Sequence, residues 1–135
     1  HQCPLSLRPP RAPFAVGRLA VAPPPGGPAR GAGPFGCSDQ TFRVIPADTP
    51  APEIVQGHSS LSFDRTSFMR DVNISFPIDR LRELRDRAEI GSLASNFYSF
   101  MAGARSPRIM EHETGPEVAR RLLADRVDLV ILPPT

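Results

Sequence analysis

An α/β fold is predicted by three observations. A β-rich run, Thr41-Phe42-Arg43-Val44-Ile45, stops at Pro46. An amphipathic helical pattern opens at Pro77 and closes by Gly91. Near the end, a helical pattern from Thr114 to Arg126 runs directly into the all-apolar segment Asp128-Leu129-Val130-Ile131-Leu132. A helix that feeds a continuously apolar strand marks a parallel sheet covered on both faces. The expected architecture is a small parallel-sheet, Rossmann-like domain with helices on both faces, behind an irregular Pro/Gly-rich N-terminus.

The elements follow in order. Residues 1–36 carry nine prolines and six glycines, and residues 1–38 hold four arginines and no acid. This composition predicts a poorly ordered leader over 1–16, which limited proteolysis should remove, and a single α/β domain over 17–135. Leu19-Ala20-Val21-Ala22 is a short apolar run ended by Pro23-Pro24-Pro25, which suits a buried strand. Residues 41–45 form the next strand, and 53–70 show no assignable period. Val72, Ile74 and Phe76 alternate with Asn73 and Ser75, which predicts a third strand. Pro77 then starts a helix where its missing N–H costs nothing. Ile78, Leu81, Leu84 and Ala88 line its buried side, and Glu83 stands four residues before Arg87 for an ion pair. Thr114-Gly115-Pro116-Glu117 reads as a capping box, followed by a Val118, Ala119, Leu122 and Leu123 stripe.

Composition excludes several classes. With 135 residues, 40% hydrophobic and 22% charged, the chain has the make-up of one globular domain. No apolar run approaches the roughly 18 residues of a membrane span. The net charge is only +2, and every basic residue is arginine. Aspartates and glutamates interleave with Arg80, Arg82, Arg85 and Arg87, so this row reads as a solvated helix face rather than a nucleic-acid stripe. Neither nucleic acid nor membrane is an expected partner. The two cysteines, Cys3 and Cys37, have no zinc or CxxC spacing and follow no secretory signal, which points to a reducing, cytoplasmic setting.

No phosphate-binding loop, nucleophile elbow or zinc-helix motif occurs. His58 and His112 are too far apart to share a metal by local spacing, and the neighbours of His112, Glu111 and Glu113, do not share its helix face. No metal site is expected. Asp39, Asp48, Asp64, Asp71 and Asp79 are acid/base candidates whose convergence the sequence leaves open. The most site-like cluster is Asp71 and Asn73, polar residues at a strand-to-helix junction of the kind where open α/β sheets bind ligands. His58 is a further ligand-binding candidate.

Read as phrases, the residues resemble a known family. Phe42-Arg-Val-Ile-Pro46, Asp71-Val-Asn-Ile-Ser-Phe-Pro-Ile-Asp-Arg-Leu-Arg-Glu-Leu84, Ile90-Gly-Ser-Leu-Ala94, Tyr98-Ser-Phe-Met101 and Thr114-Gly-Pro-Glu-Val-Ala-Arg-Arg-Leu122 succeed one another before Asp128-Leu-Val-Ile-Leu132. This series resembles selenoprotein B of the glycine, sarcosine, betaine and D-proline reductases, in its short bacterial form, over roughly 17–135. The resemblance implies an oxidoreductase in which a selenolate breaks a substrate C–N bond, with a pyruvoyl group on a partner subunit. A selenol suits the task because it is anionic at neutral pH, as an ordinary thiol mostly is not.

In such proteins the selenocysteine or cysteine follows the segment that resembles Leu129–Pro134. Neither Cys3 nor Cys37 stands there, so no catalytic role is carried onto this chain. The resemblance implies reductase-complex subunits and a small amino-acid or betaine substrate as partners. It also implies a product that continues past Thr135 through a UGA codon, which the nucleotide sequence would decide. The alternative is a non-catalytic α/β binding or accessory subunit.

Overall fold

A computed structural model describes residues 16–17, 21–22, 35–36, 38–57, 66–101 and 106–132. His58, Asp64, Cys3 and Cys37 lie outside them, as do all of the expected 1–16 leader except Val16 and two residues of the expected strand at 19–22. Strands β1 (Val16–Gly17), β2 (Val21–Ala22), β3 (Phe42–Pro46) and β4 (Val55–Gln56) come first. Helices α1 (Thr66–Arg70) and α2 (Ile78–Asp86), strand β5 (Asn96–Phe100) and helix α3 (Gly115–Ala124) follow.

The main sheet has the order β1-β5-β3. β3 and β5 run antiparallel from Phe42 opposite Phe100 to Pro46 opposite Asn96, whereas β1 lies parallel to β5. β2 and β4 form a separate antiparallel pair. The mixed α/β class holds, but the described residues do not support the parallel Rossmann-like sheet: among them only β1 and β5 pair in parallel. The parallel reading depended on a strand at 128–132, and that segment joins no ladder among the described residues; its apolar side chains are exposed. A continuous apolar run signals burial, but a strand also needs an edge to pair with.

The central strand is instead β5, whose side chains from Phe97 to Phe100 are all buried. Alternation along β3 and β5 divides the core. Ile45 and Phe97 face one side and pack with Ile54, Phe68, Phe76, Ile78 and Leu81. Tyr98 and Phe100 face the other with Phe42, Val44, Val118 and Leu122. Helices therefore lie on both faces, α1 and α2 against one and α3 against the other. Edge-to-face contacts join Phe76 to Phe97 at 5.4 Å and Phe42 to Tyr98 at 5.8 Å. Arg43 is buried in β3, where it pairs with Asp39 at 2.9 Å and stacks 4.0 Å over Phe35.

Three further expectations are corrected. Val72–Ile74 is a 3₁₀ turn, not a strand. Its alternation reflects two apolar positions flanking a capping asparagine. Glu83 pairs back to Arg80 at 2.8 Å, while Arg87 takes Glu89. Thr114 caps nothing: it has helical dihedrals, and its hydroxyl donates to the Gln40 carbonyl at 3.0 Å.

The helix passes through Pro116 instead of starting there. Proline lacks an N–H and its ring crowds the carbonyl four residues back, and the chain accommodates it by widening into a π turn over Met110–Thr114. Gly115 closes that turn through its N–H to Met110, so tightly that a Cβ would lie 2.5 Å from the Met110 oxygen. Gln40 Oε1 accepts from the N–H of Ile109 at 3.0 Å, near the true helix start. Of the expected stripe, Val118 is buried and Leu122 is packed, but Ala119 is exposed and Leu123 is 73% exposed.

Candidate ligand cleft

The Asp71–Asn73 junction is built from a local turn. Asp71 is extended and its Oδ1 accepts from the Asn73 N–H at 2.9 Å, which caps the 3₁₀ turn. Asn73 then reaches forward. Its Nδ2 donates to Asp71 Oδ1 at 2.8 Å and to Asp79 Oδ2 at 2.9 Å. Its Oδ1 accepts from the Asp79 N–H at 2.9 Å. That N–H belongs to the first turn of α2, where backbone donors have no partner within the helix. Pro77, at the N-cap, supplies no side-chain cap of its own, so Asn73 caps the helix from outside it.

The network continues across the fold. Arg82, one turn along α2, donates to Asp79 Oδ1 at 3.3 Å and to the carbonyls of Ala47 and Thr49, each at 2.9 Å. The half-buried arginine thus ties α2 to the loop after β3, rather than lying on a wet face as the sequence suggested.

Above this junction lies a cleft of about 680 Å³, within the usual range for small-molecule sites. Ala51, Pro52, Ile54, Val55, Phe68 and Val72 supply apolar walls, while Arg70, Asp71, Asn73 and Asp79 supply the polar rim. The backbone N–H of Asn73, helped by its side-chain amide and by Arg80, holds the Asp71 carboxyl below its ordinary range. It is anionic at neutral pH. Asp71 Oδ2 accepts no hydrogen bond among the described residues.

Asp71 and Asp79 are thus brought together through Asn73. The other aspartates are not: Asp39 binds Thr41 and Arg43, and Asp48 lines a second groove with Arg82 and Arg85. His58 lies outside the described residues. His112 stands exposed on the π turn, and among the described residues no group of three His, Cys, Asp or Glu could hold a metal ion. No thiol lines the cleft among those residues. Sequence reasoning missed Arg70, which sits beside Asp71 in the chain, and Arg82, whose long-range bonds leave no local pattern.

Similarity to known proteins falls over the same region. The family model for glycine/sarcosine/betaine reductase selenoprotein B matches residues 53–135, which include every cleft residue except Ala51 and Pro52. The chain is also 37% identical over 94 residues to the D-proline reductase subunit gamma of Acetoanaerobium sticklandii. That match covers 70% of this chain and 38% of the relative, so the chain spans well under half the relative's length. No solved structure matches.

Proposed function

Because the chain belongs to the glycine/sarcosine/betaine reductase selenoprotein B family, we propose that it serves in the reductive cleavage of the C–N bond of a small amino acid or betaine. In this reading the cleft over Asp71 and Asn73 receives the substrate's cationic nitrogen. The observation that carries it is an ionised, half-satisfied carboxylate at the mouth of an apolar cleft, inside the segment that matches the family. D-Proline, glycine, sarcosine and betaine all carry a cationic nitrogen beside hydrocarbon, which this lining suits.

The chain's own residues bind and orient. Asn73 fixes the Asp71 carboxylate, and Asp79 and Arg82 hold Asn73 in place. The described residues do not fit the nucleophile's role, since none is a thiol and the chain contains no selenocysteine. In this proposal the selenol or thiol lies outside the described residues and the pyruvoyl group on a partner subunit of a reductase complex, with which this chain assembles. A free selenol or thiol requires reducing surroundings, so we place the complex in the cytoplasm. Among the described residues no helix is long and apolar enough to cross a membrane.

Titration calorimetry with D-proline, glycine, sarcosine and betaine tests the reading. Binding of at least one, weakened by Asp71→Asn, supports it; binding of none overturns it. One refinement, given that no thiol lines the cleft among the described residues, is an accessory binding role without turnover. Incubation of the 135-residue chain with each substrate and a dithiol should yield no C–N cleavage. Turnover that disappears in Cys37→Ser would reverse that refinement.

A further inference from the structure

Arg70 and Asp71 are consecutive residues of opposite charge that line one cleft. Neither spends its charge on the other: among the described residues Arg70 makes no ion pair. The cation that acts on the Asp71 carboxyl is Arg80, on α2. One oxygen of Asp71 is committed to Asn73, and the other accepts nothing among the described residues. The cleft is thus lined by an arginine and a carboxylate oxygen that have no partner among the described residues, beside walls of Ile54, Val55, Phe68 and Val72.

We propose that Arg70 is the carboxylate anchor of this cleft and, with Asp71, makes it a site for a zwitterion that carries a hydrocarbon portion. This rests on the function proposed above and adds the residue that holds the substrate's other end. A plain amine would need Asp71 alone, and a plain carboxylic acid Arg70 alone. An amino acid uses both, and the planar guanidinium offers its carboxylate two parallel N–H donors. The spare Asp71 oxygen adds a preference. It can accept a hydrogen bond from a nitrogen that still bears a proton, as in glycine, sarcosine or proline, but not from a quaternary nitrogen.

The test compares D-proline with pyrrolidine, which has the same ring and charged nitrogen but no carboxylate, by calorimetry on the full chain. Arg70→Gln should weaken D-proline binding by about tenfold or more, the scale of a hydrogen bond to a charged group, and leave pyrrolidine binding unchanged. Arg70→Lys should recover part of the loss. Retained pyrrolidine binding shows in the same titration that the cleft is intact. Equal loss for both ligands, or no loss for D-proline, would overturn the role of Arg70 while leaving the amine-binding reading in place. Failure of the unaltered chain to bind any of the four amino acids would overturn both.

Discussion

Asn73 satisfies three hydrogen bonds with one amide, to Asp71, to Asp79 and from the α2 backbone. Its substitution therefore separates structure from binding. Asn73→Ala removes the cap and both carboxylate partners, and should lower stability by about 1–2 kcal/mol in thermal or denaturant melts. Asn73→Asp keeps an acceptor for the Asp79 N–H but places a third carboxylate beside Asp71 and Asp79, with no proton to donate. It should destabilise more at neutral pH and recover on acidification; an Asn73→Asp melt equal to that of the unaltered chain would contradict the network. Acid sensitivity of the chain itself follows from the same kind of contact. Asp71 is held low by the Asn73 N–H, and Glu117 by Arg121. For Asp39 burial acts upward, but the Thr41 hydroxyl, the Thr41 N–H and Arg43 together outweigh it. Groups whose native values lie below their unfolded ones stabilise the fold above the ordinary carboxylate range and lose that contribution as pH falls through the depressed native values. Between neutral pH and about pH 5 stability should thus be flat, and below it should decline. Melts between pH 7 and pH 2 would show this, and a stability that rises on acidification would refute it.

The helices end in a way their sequences hide. In α2 the N–H of Glu89 returns to Leu84 and that of Ala88 to Arg85, and in α3 Val127 returns to Leu122 and Arg126 to Leu123. Both are Schellman ends, yet the residues in left-handed conformation are Ala88, with φ 58°, and Arg126, with φ 55°. A Cβ is unfavourable there by about 1 kcal/mol. Ala88→Gly and Arg126→Gly should each raise stability by up to about 1 kcal/mol, a gain read directly from the melting midpoint. Gly115→Ala should do the reverse, by about 1–3 kcal/mol, because its Cβ would meet the Met110 oxygen at 2.5 Å. These ends also show what the sequence could convey. The α2 stripe was legible at Ile78, Leu81 and Leu84, which repeat at the helical period, but not at Ala88, which lies exposed beyond the helix. The end at Ala88 was not, since the position that normally advertises itself with glycine carries alanine. Thr114-Gly115-Pro116-Glu117 misled for a related reason. The same four residues that open a helix elsewhere are here absorbed within one, and only the contact with Gln40, far away in sequence, distinguishes the two outcomes.

At the scale of the whole molecule, the two faces of the core share one pair of strands. β5 was missed in the sequence because Phe97, Tyr98 and Phe100 are buried on both sides, which erases the alternation that identifies a strand. The site was half legible: Asp71 and Asn73 form a local turn that their spacing reveals, whereas Arg82 and the cleft walls arrive from distant segments. The same two-sided burial yields a test of cooperativity. Phe97 is fully buried against α1 and α2, while its neighbour Tyr98 faces α3. Phe97→Ala should cost about 3–5 kcal/mol, a large part of the roughly 5–15 kcal/mol that holds a domain together. The chain has one tyrosine and no tryptophan, so Tyr98 reports the α3 face alone. If β3 and β5 couple the two faces into one unit, Phe97→Ala will lower the midpoint seen in Tyr98 fluorescence by the same amount as that seen in backbone circular dichroism. Fluorescence that keeps its original midpoint while the circular dichroism transition moves would show that the α3 face unfolds independently of the face beneath the cleft.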